Sequence, residues 1–306
     1  MGSNNLRDIL FYKIRDHMEE NDFYVINADF IGRPLIDIKN KFPNRFIQAG
    51  IAEQNMIAIA CGLALEGKRP VTFSPNPFEY LRSYDQVRNG ICAMNLPVTI
   101  VANGMGFVNP GLGVTHFTTE DYQLFSLCPG LKMITFSDEA VANAAAKLLI
   151  DGVDSPIYIR IDFDCDGFLP ALENVNFSKG YRYLQKGNDT LIITQGYASR
   201  TALNLHIENQ PAVIDVFSRP FDYRNLFLEM ERYANVIVLE EQQRRGGFGS
   251  ELLELCNANG KDAKFKIYAV EYGERFPENF GSRQYWMDKY SVGEQSIKRA
   301  LFEQEG

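Results

Sequence analysis

The sequence lacks the features that mark several large classes of protein. Its 306 residues carry 31 Lys and Arg against 39 Asp and Glu, a net charge of -8. This argues against a nucleic-acid partner, because such surfaces concentrate positive charge. The five cysteines form no Cys-X-X-Cys pair and are odd in number. Neither a zinc site nor a complete disulfide framework is therefore expected, and a reducing cytoplasm fits best. No apolar run approaches the roughly 20 residues that span a bilayer, so no membrane partner is expected.

The composition, with 45% hydrophobic and 23% charged residues, is that of a globular chain long enough for two domains. Apolar segments typical of buried strands alternate with helical patterns, which predicts mostly parallel sheets with helices on both faces. The predicted fold class is therefore α/β, with two doubly wound α/β domains. The first domain is placed at residues 5–165 and the second at 189–306, joined by a polar linker at 166–188.

Hydrophobic periodicity gives the individual elements. The predicted strands are 23–29, 46–47, 70–73, 97–102, 132–136 and 157–161 in the first domain, and 190–194, 212–216, 236–240 and 264–270 in the second. The predicted helices are 6–20, 52–66, 80–94, 119–126 and 138–151, then 199–209, 223–233, one from 250 and one at 292–303.

One motif decides the functional interpretation. Gly50-Ile-Ala-Glu-Gln-Asn-Met56 puts a carboxylate, Glu53, in the first turn of a helix made of small and apolar residues. From periodicity alone, the simpler interpretation is a carboxylate that interacts favourably with the helix dipole.

A resemblance favours a catalytic role instead. The segment Phe46-Ile-Gln-Ala-Gly-Ile-Ala-Glu-Gln-Asn-Met56 resembles the one by which transketolases and deoxyxylulose-phosphate synthases hold the aminopyrimidine of thiamin diphosphate. The similarity is collinear over about residues 6–300, which is more specific than any single motif. It continues through Tyr84-Asp-Gln-Val-Arg88, Gly113-Val-Thr-His116, Val213-Ile-Asp-Val-Phe-Ser218 and Gly246-Gly-Phe-Gly-Ser250.

The resemblance implies that Glu53 hydrogen-bonds a ring nitrogen of the aminopyrimidine. A protonated carboxyl there favours the imino tautomer, whose exocyclic nitrogen can deprotonate the neighbouring thiazolium carbon, and the cofactor then acts as the electron sink. The flanking Ile51, Ala52 and Met56 are expected to desolvate Glu53 and so keep a proton available.

The resemblance also implies the other contacts of the cofactor. Phe78, Leu81 and Tyr84 stand where transketolases place residues that pack on the aminopyrimidine ring, and Ile51 flanks the carboxylate. Leu81 replaces a residue that is often aromatic, so the stack is expected to be thinner. Asp29 matches a family residue near the thiazolium, although a strand end is also a common place for a turn-capping Asp.

His116 is one of only three histidines and ends a Gly-rich loop. A lone His is usually structural, but one at the carboxyl end of a parallel strand lies where open α/β folds bind ligands. The resemblance implies that His116 hydrogen-bonds the donor carbonyl or hydroxyl and supports proton transfer, with Thr115 beside it in the substrate site.

The substrate positions depart from the family pattern. Gly104 stands in place of the family's second His or the synthases' Arg, Leu112 in place of an Asp that reads an acceptor hydroxyl, and Phe163 in place of a phosphate-binding Arg. Carboxylates at 162 and 164 flank this last position and would repel a phosphate. The substrate is therefore expected to be an unusual one, such as a sugar on a nucleotide or an unphosphorylated keto compound. Alternatively, a phosphate is held elsewhere, for which Arg160, Arg82 and Arg33 are candidates.

The diphosphate-binding pattern of full-length transketolases, Gly-Asp-Gly followed by Asn, does not occur in the sequence, and Asp164-Cys-Asp-Gly167 lacks the downstream Asn. The resemblance to split transketolases implies a partner, the N-terminal diphosphate-binding subunit. That subunit would hold the diphosphate and its Mg²⁺ or Ca²⁺ in an α2β2 heterotetramer, leaving no metal site in this chain.

Three functional hypotheses follow from these observations. The first is a subunit that transfers a two-carbon ketol unit between a ketose donor and an aldehyde acceptor. The second is a decarboxylating relative, similar to a deoxyxylulose-phosphate synthase or a 2-oxoacid dehydrogenase β subunit. The third is a non-catalytic regulatory subunit that kept the fold.

Overall fold

The computed structural model describes residues 5–162 and 175–302. Among the described residues the chain forms two compact units, one from residues 5–104 and 124–162 and the other from residues 105–123 and 175–302. Phe163 and the Asp164-Cys-Asp-Gly167 turn, both discussed above, lie outside the described residues. In the part of the chain that the structure describes, no helix is long and apolar enough to cross a membrane.

The first unit is built on a parallel sheet. Its strands follow the order β5-β6-β4-β3-β1-β2, and every neighbouring pair is parallel. The strands β4 and β6 are buried along their whole length, as expected for central strands covered by helices on both faces. The bounds are β1 (Phe23–Asn27), β2 (Phe46–Gln48), β3 (Arg69–Pro75), β4 (Thr99–Asn103), β5 (Lys132–Thr135) and β6 (Ile157–Ile161).

The helices between residues 5 and 162 begin largely where the sequence predicts. The Asn5 side chain accepts a hydrogen bond from the Arg7 backbone N–H at 3.0 Å and caps the first helix, and Asp138 caps the last one in the same way. The bounds are α1 (Leu6–Asp16), α2 (Arg33–Lys41), α3 (Glu53–Leu65), α4 (Asn76–Arg82), α5 (Asp121–Ser126) and α6 (Glu139–Asp151).

Two features of this unit differ from the prediction. The helix α2 was not predicted, although Pro34 in its first turn and the buried Leu35 and Ile38, three residues apart, are helix signals. The single helix predicted at 80–94 is instead α4 followed by a π-helical segment at Gln86–Cys92. The Ser83 hydroxyl donates to the Glu79 carbonyl at this break, a local bond by which Ser competes with regular helix geometry.

The second unit carries a mixed sheet in the order β12-β11-β8-β9-β7, parallel except that β7 runs antiparallel to β9. The strand β7 falls inside the segment predicted as a linker, so the second sheet begins earlier in the chain than residue 189. The bounds of its strands are β7 (Tyr181–Gln185), β8 (Thr190–Thr194), β9 (Ala212–Val216), β11 (Asn235–Gln243) and β12 (Lys266–Val270); the two-residue strand β10 (Ser218–Arg219) lies outside this sheet.

An aromatic cluster fills part of the core of the second unit. Phe107 and Phe117 meet edge to face at 5.1 Å between ring centroids, and both rings contact Trp286, the only tryptophan in the chain. Phe107 and Phe117 belong to the loop after β4, which explains why residues 105–123 pack with this unit. The helices are α7 (Tyr197–Leu203), α8 (Tyr223–Met230), α9 (Phe248–Ala258), α10 (Arg283–Lys289) and α11 (Glu294–Phe302).

The fold class predicted from the sequence, α/β with two sheets, is confirmed. The domain limits 5–165 and 189–306 stay a prediction. The two compact units divide the chain differently, since residues 105–123 pack with the second unit. The difference arises because a segment between two strands of the first sheet supplies core residues to the second unit, which periodicity cannot reveal.

Candidate active site

Glu53 is the first residue of α3 and is only 2% exposed. The turn before it depends on Gly50, whose φ of +79° is one that residues with a Cβ rarely adopt. Backbone bonds from Ala49 N–H to the Asn27 carbonyl and from Gly50 N–H to the Ala28 carbonyl tie this turn to the end of β1. The sequence thus delivers a buried carboxyl at the positive end of a helix, beside the carboxyl edge of the sheet.

Arg82 and Phe78 lie close to Glu53. The Arg82 Nη1 donates to Glu53 Oε2 at 3.1 Å, and the guanidinium lies 4.4 Å from the centroid of the Phe78 ring. The Arg82 side chain is 48% exposed. The structure therefore brings three predicted site residues together, and it shows Arg82, predicted as a substrate or phosphate ligand, paired with the predicted catalytic carboxyl.

Apolar side chains are exposed on the same two segments. Ile51, two residues before Glu53, is 75% exposed, and Leu81, next to Arg82, is 55% exposed. Phe78 is half-buried. A buried carboxyl accompanied by exposed large apolar side chains fits an amphipathic aromatic ring whose nitrogen atoms require a hydrogen-bond partner.

The Tyr84 side chain is partly buried rather than fully exposed at the surface. Its ring stacks on that of Phe125 with 6.2 Å between centroids, and its hydroxyl is hydrogen-bonded to the Cys128 thiol. Burial raises the pKa of Tyr84. The hydrogen bond from Cys92 is the main reason why the pKa of Cys128 is lowered to about 7. Tyr84 is thus held by contacts within the first unit, and its contact with a cofactor stays a prediction.

Asp29 is exposed in the loop after β1, at the carboxyl edge of the sheet. The neighbouring Phe30 ring is tilted against Phe73 with 6.3 Å between centroids. This position is compatible with the predicted role near the thiazolium, which stays a prediction.

Sequence reasoning missed a second carboxyl, Glu79 on α4. It is fully buried, and its Oε1 accepts a hydrogen bond of 2.7 Å from the Thr72 hydroxyl. Burial raises the pKa of Glu79 to about 8; the Thr72 hydrogen bond opposes this effect and the charge of Glu53 adds to it. The available signal was an acidic residue at the centre of Asn76-Pro-Phe-Glu-Tyr-Leu-Arg82, three residues before Arg82 on the same helix.

Unsatisfied polar side chains collect at the carboxyl edge of the sheet. The amide groups of Asn27 and Asn103 and the hydroxyl of Ser74 are buried without a hydrogen-bond partner among residues 5–162 and 175–302. They lie at or near the ends of β1, β4 and β3, three adjacent strands. Buried polar groups normally have hydrogen-bond partners, and ligands of open α/β sheets bind at this edge of the sheet. The three unpaired side chains are therefore consistent with a ligand site.

His116 belongs to the second unit, where it ends a short 3-10 helix. Its Nδ1 lies 3.0 Å from the Thr115 hydroxyl. Partial burial lowers the pKa of His116, which favours the neutral imidazole that can accept a proton at neutral pH. The predicted pair of Thr115 and His116 is therefore in mutual contact.

A groove of about 770 Å³ adjoins this pair within the second unit. One wall is the predicted substrate segment from Leu112 to Thr115, and the other is the segment 274–280. Leu112, Phe276 and Phe280 are all more than half exposed. Gly113 has a φ of +74°, which favours glycine, and a Cβ there would lie 3.0 Å from the exposed Phe280 ring.

The other residues predicted to bind substrate or phosphate, Gly104, Arg160 and Arg33, do not line this groove. Gly104 is buried in the first unit, donates its N–H to the Ile161 carbonyl at 2.7 Å and has a φ of +106°. Its backbone therefore disfavours the His or Arg of the family pattern. Arg160 is buried and donates to the Thr135 hydroxyl, while Arg33 is exposed at the start of α2.

Comparison with known proteins was consistent with this geometry. Residues 17–162 match the family model "Transketolase, pyrimidine binding domain", and residues 180–279 match "Transketolase, C-terminal domain". The chain is 30% identical over 283 residues to the 1-deoxy-D-xylulose-5-phosphate synthase of Syntrophotalea carbinolica, covering 88% of this chain and 43% of the relative. It is also 30% identical over 281 residues to the synthase of Halothermothrix orenii, covering 87% and 43%.

Two solved structures share the fold over nearly the whole chain. One is described as "Split gene transketolase, inactive beta4 tetramer", with a TM-score of 0.81 and 25% identity, and the alignment covers 99% of this chain and 98% of that one. The other is transketolase from Campylobacter jejuni, with a TM-score of 0.74 and 16% identity over 98% of this chain and 46% of that one. The second likeness shows the fold alone.

The fold and the site define a class: an α/β pyrimidine-binding unit followed by a C-terminal α/β unit, as in thiamin-diphosphate-dependent enzymes. The chain belongs to the transketolase family. It spans less than half the length of the curated relatives that it matches.

Proposed function

We propose that this chain is the pyrimidine-binding subunit of a split, thiamin-diphosphate-dependent, transketolase-like enzyme. It would act with a partner chain that holds the diphosphate and Mg²⁺ or Ca²⁺, in an α2β2 heterotetramer, and would transfer a two-carbon ketol unit. The observation that carries the proposal is the buried Glu53 at the start of α3, with Phe78, Leu81 and Ile51 on the flanking segments. The likeness to a split-gene transketolase chain over the full length of both chains supports a separate partner.

The residues of this chain have distinct roles in the proposed reaction. When bound, thiamin diphosphate supplies a carbanion equivalent and an electron sink for cleaving a bond beside a ketone. Glu53 would hydrogen-bond the aminopyrimidine, and the apolar side chains of Ile51, Phe78 and Leu81 would hold the ring and exclude water. His116, whose pKa is lowered by burial, would hydrogen-bond the ketose oxygen and accept its proton.

The substrate pocket favours a substrate without a phosphate. Among the described residues that line it, the groove beside Thr115 has two carboxylates, Glu274 and Glu278, and one cation, Arg275, and its wall carries Phe276 and Phe280. Two carboxylates repel a phosphate, whereas exposed aromatic rings and carboxylates suit the faces and hydroxyls of a sugar. We therefore propose an unphosphorylated sugar or keto compound as substrate.

Reconstitution with a chain that carries Gly-Asp-Gly tests the main proposal. The complex is expected to bind thiamin diphosphate with Mg²⁺ in calorimetry and to transfer ketol units from hydroxypyruvate to an aldehyde. Glu53→Ala should abolish turnover and weaken cofactor binding, while Glu66→Gln, at an exposed carboxyl just after α3, should change neither. Full activity of the Glu53→Ala complex would refute the assignment of Glu53.

A second candidate is decarboxylation, favoured by the similarity to 1-deoxy-D-xylulose-5-phosphate synthases. Feeding pyruvate and hydroxypyruvate separately to the reconstituted complex distinguishes the two. Release of carbon dioxide from pyruvate alone would favour the decarboxylating enzyme. A complex that binds cofactor but turns over neither compound would favour the third hypothesis, a regulatory subunit.

A further inference from the structure

The loop that carries the predicted substrate segment is closed at its base inside the second unit. Gly106 and Thr118 form an isolated antiparallel pair, in which the N–H of each donates to the carbonyl of the other at 2.9 Å. We call this pair the neck of the loop. Most of residues 108–116 between the two sides of the neck are partly or fully exposed, and they include Thr115 and His116. The position of His116 therefore depends on how firmly the neck is held.

One side of the neck is held by the side chain of Glu241, in β11. Its Oε2 accepts a hydrogen bond of 3.2 Å from the backbone N–H of Phe107, the residue after Gly106. Gly106 leaves room for this contact, because a Cβ there would overlap the Glu241 carboxylate. Glu241 is only 8% exposed, so water competes little for the bond.

The Glu241 carboxylate is itself held by Arg283, the first residue of α10. The Arg283 Nη2 donates to Oε1 at 3.1 Å and to Oε2 at 3.0 Å, and Nε donates to Oε2 at 3.3 Å. The guanidinium is largely buried and lies 3.3 Å from the centroid of the Tyr197 ring. A two-pronged ion pair whose guanidinium is stacked on an aromatic ring fixes the orientation of the carboxylate as well as its distance.

The other side of the neck is held by Gln242, the next residue of β11. Its Nε2 donates to the Thr118 carbonyl at 3.1 Å. Successive side chains of a regular strand point to opposite faces, but the register of β11 against β12 shifts between Leu239 and Gln243. Such an irregularity redirects side chains, which explains how Glu241 and Gln242 both reach the neck.

We propose that Glu241 and Gln242 are positioning residues for His116. They close the neck from its two sides, with Arg283 orienting the carboxylate, and so fix where the imidazole lies. The buried aromatic rings at the ends of the loop do not suffice for this, because apolar packing is non-directional whereas hydrogen bonds are directional. The closure of the neck is independent of any reaction; its consequence for turnover rests on the proposed function.

Amide hydrogen exchange on the chain alone tests the closure of the neck. In Glu241→Gln, the amides of the neck and of Phe107 should exchange about tenfold faster than in the wild type, because a neutral amide accepts more weakly and cannot form an ion pair with Arg283. The control Glu254→Gln makes the same change at an exposed carboxyl on α9 and should leave these amides unaltered. Wild-type exchange in Glu241→Gln would overturn the proposal.

Gln242→Met provides a second test that does not depend on the folding of Glu241→Gln. Methionine has a similar length but no donor for the Thr118 carbonyl. The substitution also removes Gln242 Oε1, which is buried without a hydrogen-bond partner in the described parts of the chain, so the urea midpoint should change little. Exchange of the neck amides should nevertheless be several-fold faster, and equal exchange in the two proteins would contradict the role of Gln242.

Steady-state kinetics of the assembled complex test the positioning role. Glu241→Gln should lower kcat by about 10- to 100-fold. Calorimetric affinity for thiamin diphosphate with Mg²⁺ should stay unchanged, because Glu53 and Phe78 belong to the first unit. In a complex that already carries His116→Ala, Glu241→Gln should lower kcat no further, since it acts through His116. Multiplicative losses in the double variant, or an equal loss of cofactor affinity, would overturn the positioning role.

The two sets of measurements separate the proposal from the function on which it rests. If the wild-type complex shows no turnover while Glu241→Gln still speeds exchange at the neck, the proposed function fails and the closure of the neck stands. If the complex is active but exchange and kcat are both unaffected by Glu241→Gln, the proposed function stands and the positioning role fails.

Discussion

Replacing Glu79 with Gln should change how the stability of the first unit depends on pH. The wild-type carboxyl has an ordinary pKa of 4.5 when the chain is unfolded and about 8 when it is buried. The unfolded state therefore binds fewer protons between these values, and wild-type stability falls as pH rises through this window. The glutamine, which has the shape of the protonated acid and does not titrate, removes this contribution while keeping an amide oxygen for the Thr72 hydroxyl.

The magnitude follows from the size of the pKa change. One pKa unit corresponds to about 1.4 kcal/mol, so raising the pKa of Glu79 from 4.5 to about 8 amounts to about 5 kcal/mol over the whole window. Between pH 5.5 and 7.5, the unfolding free energy of Glu79→Gln should rise relative to the wild type by about 2.5 kcal/mol. Below pH 4.5 the contribution of this carboxyl is constant, and above about pH 8 it is again constant.

The assay must report on the first unit. Tryptophan fluorescence does not, because the single tryptophan, Trp286, lies in the core of the second unit. Native-state hydrogen exchange of peptides that cover β3 and α4, measured at several pH values, gives the local unfolding free energy directly. Glu66→Gln serves as the control, since the same chemical change at an exposed carboxyl should leave the pH dependence unaltered. Parallel curves for wild type and Glu79→Gln, within about 0.5 kcal/mol, would refute the neutral-carboxyl argument.

Four further substitutions test the backbone conformation, the capping of α1 and the groove. Gly104→Ala should destabilise the first unit by about 1–2 kcal/mol in urea denaturation, because the φ of +106° disfavours any Cβ. Gly62→Ala lies inside α3 with open space around the position, and it should stabilise the first unit by about 0.5–1 kcal/mol. Equal effects of Gly104→Ala and Gly62→Ala would contradict the argument from the φ of Gly104. Asn5→Ala should cost about 1 kcal/mol by removing the cap of α1, measured in the same way. Glu278→Lys should shift acceptor preference toward phosphorylated aldehydes several-fold in competition assays on the complex, and an unchanged preference would remove the groove from the substrate site.

The sequence determined most of the secondary structure and much of the chemistry. Strands 157–161, 190–194 and 212–216 have the bounds predicted, because short runs of β-branched apolar residues between polar turns leave little choice. The Asn5 cap followed from local chemistry in the same way. The Gly50 turn before Glu53 likewise placed a carboxyl at the start of a helix, and the resemblance in this motif led to the family that the comparisons show.

Only the tertiary structure decided which groups meet. The pairing of Arg82 with Glu53 joins residues 29 apart in the sequence, and the burial of Glu79 depends on α4 packing over β3. The segment 105–123 was predicted as a Gly-rich loop and the start of a helix in the first domain, but its side chains Phe107 and Phe117 belong to the core of the second unit. Local sequence patterns determine whether a segment forms a helix or a strand. The protonation of a side chain and its burial in a core depend on neighbours that the chain brings together only when it folds.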